Sequence, residues 1–280
     1  MSLNRDVLSR LPHVEGVFNY LAPMDEKPRN YTYGPPPGVP QTNASYEPHT
    51  MRVIDIRSVM HQLSVDAEGI QLVEERSAVR GFEDENEIRL VYYPEAERLV
   101  AQATGASRVV VFDHTIRRRQ LNAVDRAAGT PRQPVTRVHN DYTEKSGPNR
   151  VRDLMGAEAE AMLGRRFAVI NVWRPIRGPL LDAPLAVCDA TSTTREDLVA
   201  SDLVYRNRTG ETYAVRHNPN HRWLYAPAMR EDEALLLKCY DSAHNVARFA
   251  PHSAFEDPTA PVDKPPRESI EIRTLAFFDA

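Results

Sequence analysis

Residues 167–173 read Phe-Ala-Val-Ile-Asn-Val-Trp, an apolar run of strand-forming residues with a single amide side chain. Comparable short strands are predicted on both sides of it, separated by clusters of Gly, Pro, Asn and Asp. They lie at 137–139, 185–188, 212–216, 222–225, 234–240 and 269–278. A series of short strands joined by turn signals favours an antiparallel sandwich or a jelly roll.

Helical segments flank or interrupt these strands. Residues 95–104 carry apolar side chains at helical spacing, and Gly105 predicts the end of that helix. The β-branched run at 108–112 predicts a buried strand. Residues 151–164 predict a helical insertion that ends at a glycine.

The N-terminal region contains a proline-rich stretch at 33–40, Tyr-Gly-Pro-Pro-Pro-Gly-Val-Pro. Three consecutive prolines exclude a helix or a central strand there, so we expect an arm packed over a domain. The predicted fold class is therefore α+β. A single domain at 51–280 has a jelly-roll, cupin-like core, and N-terminal helices and the arm at 1–50 precede it.

The composition of the 280 residues excludes several classes of protein. The chain is 41% hydrophobic and 26% charged, as globular proteins are, with a net charge of -4. It has no basic excess that would point to nucleic acid or an anionic membrane as a partner. The two cysteines cannot form a disulfide scaffold, and the charged N-terminus does not resemble a signal peptide. We therefore expect a cytoplasmic protein.

The first candidate for chemistry is the sequence His139-Asn140-Asp141, which follows a β-like run. Residues i and i+2 of a strand point to the same face, so His139 and Asp141 can both bind one cation. They would be two of the three ligands in the two-histidine, one-carboxylate set of non-haem Fe(II) oxygenases. Alone, the pair also fits a turn aspartate beside a hydrogen-bonded histidine.

A second group of residues near the C-terminus makes the iron interpretation stronger. His252 is followed 15 residues later by Arg267-Glu268-Ser269. The planar fork of arginine suits the distal carboxylate of 2-oxoglutarate, and a hydroxyl at i+2 adds a second donor on the same strand face. His244 competes for the role of third ligand, but it lies in a turn-rich stretch, and we prefer His252.

Together these motifs resemble the CmcJ/AsaB family of Fe(II)/2-oxoglutarate-dependent oxygenases over nearly the whole chain, from about residue 20 to residue 278. The segments that carry the resemblance are 92–95 (YYPE), 104–106 (TGA), 111–118 (VFDHTIRR), 138–143 (VHNDYT), 171–175 (NVWRP), 240–242 (YDS), 248–252 (RFAPH) and 266–271 (PRESIE). The resemblance implies a double-stranded β-helix core. It also implies iron at His139, Asp141 and His252, and 2-oxoglutarate at Arg267 with Ser269.

Three protein ligands leave three positions on the metal, two for 2-oxoglutarate and one for O2. Decarboxylation then gives succinate, CO2 and a ferryl intermediate. Because Asp141 fills the carboxylate position, no ligand site is left for chloride. Hydroxylation or desaturation of a small natural-product or amino-acid-like substrate is therefore the expected outcome.

Other assignments are less specific. Arg174 is predicted to reach the cosubstrate, the alternative being an ion pair at a strand end. The run 117–119, three arginines, would either steer an anionic substrate or lie in solvent. The alternative function is a cupin-like metal-dependent hydrolase or isomerase, or a jelly-roll binding protein, which would have no role for Arg267 and Ser269.

Overall fold

A computed structural model describes residues 5–123, 125 and 130–279. Residues 1–4 of the expected arm and residue 280 of the expected domain lie outside the described part. The strands are β1 (His13–Leu21), β2 (Arg29–Tyr31), β3 (Tyr46–Asp55), β4 (Ile70–Glu74), β5 (Arg108–Arg118), β6 (His139–Asn140), β7 (Phe167–Pro175), β8 (Leu185–Cys188), β9 (Leu198–Val204), β10 (Thr209–Val215), β11 (Trp223–Tyr225), β12 (Glu233–Asp241), β13 (His252–Ala254) and β14 (Glu268–Phe277). The helices are α1 (Arg5–Arg10), α2 (Glu85–Glu87), α3 (Tyr93–Thr104), α4 (Ser146–Met155) and α5 (Ala159–Leu163), with a π-helical turn at Ile88–Tyr92 between α2 and α3.

The described strands form two sheets, as the α+β prediction requires. The larger sheet has the order β1-β3-β11-β8-β13-β6-β10-β9-β2, and the smaller one β4-β12-β7-β14-β5. Side chains from both sheets, such as Val53 and Trp223 from the larger and Val169 and Leu275 from the smaller, form one buried cluster. The two sheets therefore pack face to face around a shared core.

The side chains of strand β7 show which face of the smaller sheet points toward this core. All nine of its residues are buried, and successive side chains point to opposite faces. Ile170 and Val172 pack in a cluster with Leu99 and Val100 of α3, on the outer face. The odd-numbered residues of β7 consequently point toward the larger sheet, where the predicted site lies.

Several predicted elements are confirmed, and two are corrected. The helix at 95–104 lies within α3, and Gly105 ends it at a φ of 74°, the left-handed conformation that favours glycine. The strand at 108–112 is only the start of β5, and it is partly exposed because β5 is a sheet edge. The helical insertion at 151–164 is broken, because the chain turns at Gly156 between α4 and α5.

The N-terminal region differs most from the prediction. The expected boundary at residue 50 falls inside β3, which pairs with β1 along its whole length at the edge of the larger sheet. Phe18 and Tyr20 of β1 are fully buried, and Phe18 stacks on Trp223 at 4.0 Å between ring centroids. The first fifty residues therefore do more than pack over the domain as an arm, because β1 is a strand of the larger sheet and its apolar side chains belong to the core.

A buried ion-pair network ties β12 to the loop that precedes β4. The Lys238 side chain is fully buried, and its Nζ donates to Asp66 at 2.7 Å and to Asp241 at 2.5 Å. Replacing Lys238 by methionine leaves the two carboxylates with Arg166 as the cationic partner that the structure shows. We expect a loss of about 3 kcal/mol in the free energy of unfolding, measured by urea denaturation.

The control for this change is Arg152→Ala, which breaks the exposed pair with Glu160. We expect that variant to lose less than about 0.5 kcal/mol. Equal losses in the two variants would contradict a special contribution from the buried network.

Candidate active site

The two predicted histidine ligands lie side by side on neighbouring strands. His139 of β6 is the direct register partner of His252 of β13, and their ring centroids are 4.5 Å apart. Asp141 follows β6 directly, and its Oδ1 lies 3.6 Å from His139 Nε2. One ligand atom from each of the three residues lies within 4.8 Å of the others, and no other His, Cys, Asp or Glu group among the described residues meets this spacing.

Backbone carbonyls fix the tautomer of both histidines. His139 Nδ1 donates to the carbonyl oxygen of Arg137 at 2.9 Å, and His252 Nδ1 donates to that of Ala250 at 3.1 Å. Because a carbonyl oxygen can only accept, each Nδ1 carries a proton, and in the neutral ring the lone pair is then on Nε2. This is the orientation that histidine ligands adopt in metal sites.

The charge state of the three residues also suits a divalent cation. Burial, with His252 alongside, lowers the pKa of His139 to about 3, so the imidazole is neutral. Burial by itself would raise the pKa of Asp141, but Arg273, the two histidines and a hydrogen bond from Asn171 hold it below its ordinary value. The neutral imidazole of His139, the imidazole of His252 and one carboxylate lie on the same side of a pocket, and this set of side chains matches the donors of non-haem Fe(II) sites.

Two residues that the sequence prediction missed hold Asp141 in place. Asn171 Nδ2 donates to Asp141 Oδ2 at 2.9 Å, and Arg273 Nε donates to the same oxygen at 3.4 Å. Arg273 also donates to Glu271 Oε1 at 2.6 Å. The sequence did contain a signal for Arg273, namely the alternation of polar and apolar residues along β14. Residues 269, 271 and 273 are polar, whereas Ile270 and Ile272 pack on the outer face.

Arg267 lines the same narrow pocket as the three ligands, and Ser269 lies directly beside it. Both are buried, and Arg267 Nε donates to Ser269 Oγ at 3.0 Å while Nη1 donates to the carbonyl oxygen of Ala183 at 2.8 Å. The guanidinium lies 4.9 Å from the centroid of the Trp173 ring. Burial, with Arg117 nearby, lowers the pKa of Arg267 to about 9.

Within the described part of the chain, no carboxylate forms an ion pair with the Arg267 guanidinium. A buried cation without a counter-ion is costly, and an anionic ligand would remove that cost. The pocket also has apolar walls, formed by Val135, Leu185 and Ala254. A buried guanidinium beside apolar walls suits an organic anion that carries a carboxylate.

Arg174 does not lie in this pocket, contrary to the prediction. Its neighbour Trp173 faces Arg267, so Arg174 points out of the opposite face of β7. There its guanidinium lies 5.1 Å from the centroid of the Tyr92 ring, and Nη1 donates to the carbonyl oxygen of Glu231 at 3.4 Å. The prediction identified the right strand but the wrong face.

A cleft of about 1320 Å³ opens onto His139 and Asp141. Residues from the proline-rich segment, Tyr33 and Gly34, line it together with residues of α4, β5, β9 and β10. Its walls include the aromatic side chains of Tyr31, Tyr33, Tyr46, Phe112, Tyr142, Tyr205 and Tyr213. The cleft is large enough for a multi-ring organic molecule beside the three ligands.

Comparison with known proteins shows which family this chain belongs to. A family model described as an oxidoreductase/YMDC permease-like domain matches residues 18–277. The chain belongs to this family. The hydroxylase/desaturase efuI of Hormonema carpetanum is 35% identical over 86% of this chain and 88% of its own length. The Fe(II)/2-oxoglutarate-dependent dioxygenase nvfI of Aspergillus novofumigatus is 32% identical over 88% of this chain and 90% of its own length.

A solved structure with the same overall fold is also similar to this chain. A variant of the iron and alpha-ketoglutarate-dependent endoperoxidase NvfI superposes with a TM-score of 0.88. It is 29% identical, and the match covers 96% of this chain and 98% of that one. The predicted membership of the CmcJ/AsaB-type oxygenases is thereby confirmed, and the chain is an oxidoreductase.

Proposed function

We propose that this enzyme is a non-haem Fe(II)- and 2-oxoglutarate-dependent oxygenase that hydroxylates or desaturates a small natural product. His139, Asp141 and His252 would hold the iron, and Arg267 with Ser269 would hold the cosubstrate. One observation carries the proposal: three metal-ligand side chains share a narrow pocket with a buried arginine that forms no ion pair with any carboxylate of the described residues. Bound iron, with 2-oxoglutarate and O2, supplies the oxidising chemistry and releases succinate and CO2.

The protein contributes positions and charges to this reaction. Asn171 and Arg273 keep the Asp141 carboxylate ionised and fixed, so it is ready to bind a cation. Arg267 and Ser269 anchor the distal carboxylate, which directs the 2-oxo acid end toward the histidines. The apolar pocket walls limit the access of water, and the aromatic cleft orients the substrate beside the metal.

The proposal also covers the fold, the domain boundaries and the cellular location of the protein. Two packed sheets that match NvfI support a double-stranded β-helix (jelly-roll) core. We assign residues 51–280 to one domain, to which the N-terminal region adds β1, β2 and the first part of β3. A cytoplasmic location is proposed as well. In the described part of the chain, no helix combines the length and apolar character that crossing a membrane requires.

The alternative function, a cupin-like metal-dependent hydrolase or isomerase, explains less. It accounts for the three metal ligands, but it has no use for a carboxylate-binding arginine at the end of the same pocket. The relatives named above as a hydroxylase/desaturase and a 2-oxoglutarate-dependent dioxygenase also support the oxygenase.

The deciding experiment is an anaerobic titration of metal-free protein with Fe(II) and then 2-oxoglutarate, followed by visible absorption. We expect the charge-transfer band of a chelated 2-oxo acid. Admission of O2 should then convert 2-oxoglutarate to succinate. Absence of the band, with tight binding of Zn(II) or Mn(II) instead, would overturn the oxygenase in favour of the hydrolase or isomerase.

A further inference from the structure

The arginine run at 117–119 does not behave as a solvated charge run. Arg118 pairs with Glu268 and Glu83, and Arg119 pairs with Asp182 and Glu256. Arg117 of β5 instead lines the narrow pocket that contains Arg267 and the three metal ligands. The run therefore places one of its three guanidinium groups inside the site.

The surroundings of Arg117 leave its charge without a direct partner. It is partly buried, and its Nη1 donates to the carbonyl oxygen of Gln133 at 2.8 Å. In the residues that the structure describes, no carboxylate forms an ion pair with it. Glu271 lies in the same pocket but accepts a hydrogen bond from Arg273. Burial lowers the pKa of Arg117 to about 10.

The sheet register places Arg117 beside the predicted carboxylate anchor. Arg117 on β5 is the direct cross-strand partner of Ser269 on β14. Directly opposed residues of two paired strands point to the same face, so their side chains are neighbours. Two guanidinium groups and one hydroxyl therefore converge on the same end of the pocket. Two like charges so close together repel each other, and a bound anion would relieve that repulsion.

We propose that Arg117 is a second guanidinium for the distal carboxylate of 2-oxoglutarate, which it shares with Arg267 and Ser269. The inference rests on the proposed function and adds a selectivity to it: the pocket prefers a 2-oxo acid with a second carboxylate over one without. Arg117 also borders the large cleft, so an anionic group of the substrate is the competing occupant, and the experiment separates the two.

The test is an anaerobic measurement of the dissociation constants for Fe(II), 2-oxoglutarate and pyruvate, using the visible chelate band and competition. Pyruvate has the same 2-oxo acid group but no distal carboxylate. For Arg117→Gln, we expect the Kd of 2-oxoglutarate to rise by about 10- to 100-fold, as loss of a charge-assisted hydrogen bond predicts. The values for pyruvate and Fe(II) should change less than about twofold, since neither depends on that hydrogen bond.

Two further variants complete the experiment. Arg117→Lys keeps the charge and should recover part of the affinity; it also serves if the glutamine variant does not fold. Arg118→Gln changes the neighbouring arginine, whose partners lie outside the pocket, and should leave all three constants unchanged. An unchanged Kd for 2-oxoglutarate in Arg117→Gln, or equal rises for 2-oxoglutarate and pyruvate, would overturn the inference.

The failure of this inference can be told apart from failure of the proposed function. If the wild-type protein forms no chelate band, the proposed function is wrong and the inference falls with it. If the band forms and Arg267→Gln weakens it while Arg117→Gln does not, the function stands and only the role of Arg117 is refuted.

Discussion

Replacing His252 by alanine is expected to lower the affinity for Fe(II) by more than about 100-fold and to abolish succinate formation. Loss of groups that merely orient metal ligands costs about 10- to 100-fold, and His252 supplies a ligand atom itself. The ring faces His139 across paired strands, with Nε2 free because Nδ1 is bound to a carbonyl oxygen. The measurement is anaerobic Fe(II) titration with and without 2-oxoglutarate.

The matched control is His244→Ala, since His244 was the competing choice for the third ligand. The structure places it on the surface, in the turn between β12 and β13. We expect iron affinity and turnover to remain at wild-type values. A protein that keeps iron after the His252 change and loses it after the His244 change would refute the ligand assignment.

The parts of the site that could be predicted from the sequence are those whose residues lie within a few positions of one another. The spacing of His139 and Asp141 and the triplet at 267–269 each place two side chains on one face within three residues. The pairing of His139 with His252 depends on which strands are neighbours and in which register. The sequence alone does not show this, because the two residues are more than a hundred positions apart. The family resemblance supplied that link, and the geometry agrees with it.

The misplaced residues failed for identifiable physical reasons. Arg174 was assigned to the site although the alternation of side chains puts it on the face opposite Trp173. Arg117 looked like part of a solvated run, because only its pairing with Ser269 reveals that it points inward. Asn171 had a usable signal, since an amide within an apolar strand needs a partner, and Asp141 is that partner.

In the N-terminal region, the proline-rich stretch drew the prediction away from a strand that lies close to it in the sequence. Three prolines near residue 36 correctly excluded regular structure there, but the interpretation as an arm was extended back over β1. Val14, Gly16, Phe18 and Tyr20 share one face of β1 and alternate with the polar residues His13, Glu15 and Asn19, although Val17 and Leu21 interrupt the pattern; Phe18 and Tyr20 reach the core. A period of two over nine residues was therefore present in the sequence.

The second large effect is expected for Arg267→Gln. We predict that the Kd of 2-oxoglutarate rises by about 100-fold or more, while iron affinity changes less than about threefold. The physical reason is that arginine offers paired charge-assisted hydrogen bonds to a carboxylate, together worth about 3 kcal/mol or more. The glutamine amide keeps a donor near Ser269 but removes the positive charge, which forms no ion pair among the residues that the structure describes.

Arg174→Gln is the appropriate control for this change, because it removes an equally buried arginine from the same sheet on its opposite face. Its dissociation constant for 2-oxoglutarate should stay near the wild-type value, even if some stability is lost. A general defect in folding would weaken iron and cosubstrate binding together in both variants. If only the affinity for 2-oxoglutarate falls, and only in the Arg267 variant, the positive charge of Arg267 serves to bind the cosubstrate. If Arg174→Gln weakened 2-oxoglutarate as strongly as Arg267→Gln, the placement of the cosubstrate between the two sheets would be wrong.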